Sequence, residues 1–121
     1  MKAKETAVVL IEFQNDFCKE GGKLYGGVQT ELARQGTIPN AMHGGVKSEL
    51  ARQNTIPNAV KLAEEARKKG ALIIHSPFIF NEKYFEDHQM QGIVKAVADG
   101  DALREGTWGA EIIDELKPQE G

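Results

Sequence analysis

Cysteine is almost missing from this chain: Cys18 is the only one in 121 residues. A single thiol excludes an internal disulfide and cannot build a cysteine metal cluster. Long apolar runs are missing as well. None approaches the ~20 residues of a membrane-spanning helix, and the N-terminus "MKAKETAVVLIEF" runs into a strand-like segment without a small-residue cleavage site. The expected location is therefore cytoplasmic, with no membrane partner. No charge of one sign dominates: 15 basic residues face 18 acidic ones for a net charge of -3, and the two signs are interspersed. No basic stripe exists for a phosphate backbone, so nucleic acid is not an expected partner. The glycines of "KEGGKLYGG" do not follow a strand in GxGxxG register, which excludes a dinucleotide loop. No cofactor is expected.

What is present is a soluble, core-forming composition, 40% apolar and 27% charged, in a length that suits one domain over residues 1–121. Residues 6–13, "TAVVLIEF", are β-branched and apolar at both alternating sets of positions, the pattern of a strand covered on both faces. Polar loop chemistry follows over residues 14–27. In "TIPN", Thr55 is the expected N-cap and Pro57 suits a first helical turn. Ile56, Ala59, Val60, Ala63 and Ala66 then recur at spacings of three and four, with Gly70 closing the helix. "ALIIHSPFIF", residues 71–80, reads as a second buried strand with a break at Pro77. Strand, helix and strand at this spacing form a βαβ crossover, so the fold class is α/β with parallel pairing. Beyond it, "GIVKAVADGD" predicts a short helix, and "TWGAEIIDELKP" a longer one capped by Thr107 and ended before Pro118. No third strand is evident. Two parallel strands that are apolar on both faces cannot cover themselves, and sheets commonly hold about five or six strands. The chain reads as an incomplete α/β domain.

Three segments, "AVVLIEFQNDFCKEGGKLYG", "IPNAVKLAEEARKKGALIIHSP" and "GTWGAEIIDELKPQEG", together resemble the isochorismatase-like cysteine hydrolases, the superfamily that includes nicotinamidases. Glu12, Gln14, Asp16 and Phe17 stand where the family's first motif places an acid, a glutamine, an aspartate and a phenylalanine. The resemblance implies a three-layer, parallel-sheet, Rossmann-like fold, present here as its N-terminal βαβ portion. It also implies hydrolysis of a C–N or vinyl-ether bond in a small-molecule substrate, by an acid, a lysine and a cysteine nucleophile. Glu12 is then the catalytic acid. Glutamate in place of the usual aspartate moves the carboxylate by about 1.5 Å without changing its chemistry. The family's lysine and cysteine are expected on segments that follow "ELKPQEG", so the chain alone is expected to be inactive. Cys18, in the first loop, is not expected to replace the missing nucleophile. Phe17, His75 and Trp108 are candidate substrate-binding residues: the family places aromatic residues near the first and last, and His75 lies at the carboxyl end of the second strand, where α/β proteins bind ligands. Core packing for the two aromatics, and a backbone hydrogen bond for the histidine, account for them equally well. No metal is expected, because "HSPFIF" replaces the Asp-x-His pattern of nicotinamidase sites and His88 has no partner at ligand spacing. The partners implied are a small-molecule substrate and either a second copy or a complementing chain. The alternative function is a noncatalytic module that associates with itself or with a partner.

"GGVQTELARQGTIPNAMH" (26–43) is followed directly by "GGVKSELARQNTIPNAVK" (44–61), with 13 of 18 positions identical. Tandem duplication is the simplest origin, and two copies are too few for a solenoid. The second copy runs into "LAEEARKKG" and owns the crossover helix, so the first reads as the insertion. Either it makes a surface excursion or it contacts another chain. In the first case, deleting residues 26–43 leaves far-UV circular dichroism unchanged and shifts the urea-derived stability by no more than ~1 to 2 kcal/mol, since loop-closure cost grows slowly with length. A lower association state after the deletion would identify the contact, and loss of folding would place the first copy in the core.

Overall fold

A computed structural model describes residues 2–25, 51, 53–83 and 91–119. The first repeat copy, most of the second up to Arg52, and His88 lie outside the described residues. After a single 3-10 turn at Ala3–Glu5, strand β1 spans Ala7–Ile11 and helix α1 spans Asn15–Cys18. Helix α2 spans Thr55–Lys68, strand β2 Leu72–Ser76 and helix α3 Gly92–Asp99. No helix among the described residues is long and apolar enough to cross a membrane.

β1 and β2 pair in parallel, with Ala7 opposite Leu72 and Ile11 opposite Ser76. The ladder is framed by Leu72 N–H to the Thr6 carbonyl at 3.1 Å and Glu12 N–H to the Ser76 carbonyl at 3.0 Å. In a parallel ladder, one residue in two directs both its N–H and its C=O to the same neighbour. Leu72, Ile74 and Ser76 therefore bond to β1, and Ile73 and His75 direct their backbone groups to the outer edge.

α2 lies against one face of this pair. Ala59 and Ala63, one turn apart, are the buried residues of the helix, and their small side chains admit it closely against the sheet. They form a core with Leu10, Cys18, Ile113 and Leu116, against which Val8, Phe13, Phe17, Ile56, Val60, Ile73 and Ile112 pack. A second cluster, Leu24, Phe80, Val97, Ala102 and Leu103, sits under α3, and Phe17 packs against both. The opposite face of the sheet is bare. Val9, Ile11, Leu72 and Ile74 are 50%, 61%, 60% and 40% exposed, although their sequence pattern is that of strands covered twice.

Several boundaries differ from the sequence expectation for local physical reasons. The strands are shorter than the apolar runs, and the chain does break at Pro77; Phe80 then makes an isolated parallel bridge to Arg104. Thr55 is the first helical residue and not the cap: Asn54 holds the N-cap position at φ 49, in the left-handed region that asparagine tolerates. Gly70 ends the helix at φ 80, as expected. The long helix expected from Thr107 does not form. Two 3-10 turns, Trp108–Ala110 and Asp114–Leu116, flank extended backbone instead. The Thr107 hydroxyl donates back to the Arg104 carbonyl at 2.7 Å. Tertiary bonds take the groups that a helix would have used: Asn15 N–H donates to the Glu111 carbonyl at 2.9 Å, and Ile113 N–H to the Phe13 carbonyl at 2.9 Å.

Gly109 marks the tightest point of this arrangement, because a Cβ there would collide with the buried carboxylate of Asp16. Gly109→Ala is expected to destabilise the chain by about 1 to 3 kcal/mol, the usual range for overpacking. A urea midpoint equal to that of the parent would show that the carboxylate is free to move aside.

Candidate functional site

The site grows from the residues that follow β1. Glu12 ends the strand at φ 58, a backbone region that a residue with a Cβ rarely occupies. Its N–H is held by Ser76, and its carbonyl accepts from Gln14 N–H at 2.8 Å. The turn leaves the Glu12 side chain exposed at the carboxyl end of the sheet.

After Phe13 come three consecutive polar residues, Gln14, Asn15 and Asp16, and all three are buried. Gln14 Nε2 donates to the Phe78 carbonyl at 3.0 Å and to the Ala110 carbonyl at 2.7 Å, while its Oε1 accepts from Phe78 N–H at 2.8 Å. Asn15 Nδ2 donates to the Trp108 carbonyl at 2.8 Å. Asp16 Oδ1 accepts from Lys23 N–H at 2.9 Å and Oδ2 from Leu103 N–H at 2.7 Å. Gln14 and Asp16 belong to the motif seen in the sequence, but their work here is to fasten three loops. The signal that could have found this role is the run itself: three consecutive polar residues between apolar ones need backbone partners if they are buried.

Beside this clamp lies an open groove of about 550 Å³, whose lining includes Pro77, Ile79, Thr107, Glu111, Ile112 and Lys117. It is mostly apolar. Lys117 Nζ pairs with Asp114 Oδ1 at 2.6 Å, which holds the lysine above its ordinary value and the aspartate below its own. Glu12, Phe17, His75 and Trp108 do not line this groove. Phe17 is half-buried between the two core clusters. Trp108 is 51% exposed above the Asn15 clamp. His75 faces the α2 side of the sheet, and neither ring nitrogen has a partner among the described residues. Burial, and then the Arg67 charge, lower its pKa from 6.5. Sequence reasoning passed over Lys117 and Thr107 as groove residues, because they come together with Pro77 and Ile79 only in three dimensions.

Cys18 is buried in the main core, and burial pushes its thiol from 9.0 up to about 11, with Lys19 opposing and Glu115 adding to the shift. A thiol in that state is a small core residue and not a nucleophile at neutral pH. Among the described residues no cluster of three or more His, Cys, Asp or Glu side chains could hold a metal ion.

A parallel βαβ unit with an exposed acid at the carboxyl end of its first strand makes this an α/β protein. The chain matches the Isochorismatase domain over residues 6–121 and belongs to that family. Among curated proteins it is similar to the ureidoacrylate amidohydrolase RutB of Rhizobium rhizogenes, at 29% identity over 133 aligned residues, covering all of this chain and 47% of the relative. The RutB of Agrobacterium fabrum is likewise 29% identical, covering all of this chain and 50% of the relative. The chain thus spans about half the length of the curated relatives it matches.

The Cys18 environment has a measurable pH signature. The folded thiol holds its proton up to about 11 whereas the unfolded one releases it near 9.0. The native state therefore binds more protons in between, and stability falls as pH rises through that window. Urea denaturation should show the parent chain losing stability relative to Cys18→Ala between pH 9 and 11, while parallel curves would show an accessible, unshifted thiol.

Proposed function

We propose that this chain supplies the acid and one wall of an isochorismatase-type hydrolase site that cleaves C–N bonds of small amide or ureido substrates. Glu12 is the observation that carries this reading. Its exposed carboxyl group stands at the carboxyl end of β1, the edge where α/β folds bind ligands, on backbone held at φ 58 by bonds to both sides. A strained position next to a rigid clamp is a common setting for a working residue. The amidohydrolase name of the two relatives gives the bond class.

In this reading Glu12 takes the proton of a cysteine thiol, the thiolate adds to the carbonyl carbon, and the C–N bond breaks as the proton passes to the leaving nitrogen. Water then cleaves the thioester, releases the acid and restores the thiol. The thiol and the charge-stabilising lysine come from polypeptide equivalent to the half of the relatives that this chain does not span. Cys18, buried and shifted to about 11, does not serve as the nucleophile. Phe17, His75 and Trp108 are retained as substrate-side candidates at a distance from the groove.

Purified alone, the chain should release no ammonia above background from ureidoacrylate, nicotinamide or simple amides. Turnover that vanishes in Cys18→Ser would overturn this account. When the chain is fused to the second half of a relative, turnover should appear, and Glu12→Gln should lower kcat by about a hundredfold or more, the usual scale for losing a general base.

The bare sheet face favours a second reading, a noncatalytic module that associates through Val9, Ile11, Leu72 and Ile74. It requires at least a dimer by sedimentation. A monomer with cooperative unfolding would remove it.

A further inference from the structure

We draw no further inference here: the strongest candidate, the apolar groove lined by Pro77, Ile79, Thr107 and Ile112 beyond the carboxyl end of β2, belongs to the site already described, and nothing among the described residues shows what occupies it.

Discussion

The side-chain amide of Gln14 is the interaction on which the rest of this structure hangs. It is fully buried, and it bonds to two segments far apart in sequence, at Phe78 and Ala110. A buried amide with partners contributes modestly, whereas the same amide without them costs the whole desolvation penalty. The two loops are therefore held less by attraction than by the expense of any arrangement that abandons Gln14. Asp16 extends the same logic to Leu103, a buried leucine held at φ 56. Its carboxylate takes the Leu103 N–H and offsets a backbone conformation that costs leucine of order 1 to 3 kcal/mol.

This clamp explains why the groove has its shape. Gln14 grips the chain just after Pro77 and again at Ala110, so the two walls of the groove answer to one side chain. Glu12 precedes that grip by two residues and inherits its rigidity through a carbonyl bonded to Gln14 N–H. The run from Glu12 to Asp16 thus combines an exposed acid with buried residues whose task is mechanical.

Much of the βαβ unit was legible before any coordinates. β1, α2 and β2 announce themselves through apolar periodicity, and Pro77 and Gly70 punctuate them where the chain does turn. The segment after Thr107 was not legible in the same way. Ala110, Ile112, Ile113 and Leu116 have spacings compatible with a helix, but Phe13, Gln14 and Asn15 claim the intervening backbone groups from nearly a hundred residues away, and local periodicity carries no trace of that. The cap at Asn54 shows a smaller instance, where a left-handed residue displaced the threonine that local chemistry favoured. Glu12 was singled out through the motif and stands as a candidate, whereas the groove was not visible, because Pro77, Thr107 and Lys117 share no pattern in sequence.

The reach of the Gln14 bonds also sets an order of events in time. Its partners lie 64 and 96 residues downstream, and at synthesis rates of about 5 to 20 residues per second the second of them emerges roughly 5 to 20 seconds after Gln14 itself. β1 can pair with β2 as soon as Leu72–Ser76 has been made, but the Gln14 amide waits for Ala110 with one of its partners missing, since loops of this span must close before their bonds give any return. A nascent chain of this kind therefore forms its ladder before the clamp that fastens the loops beyond it.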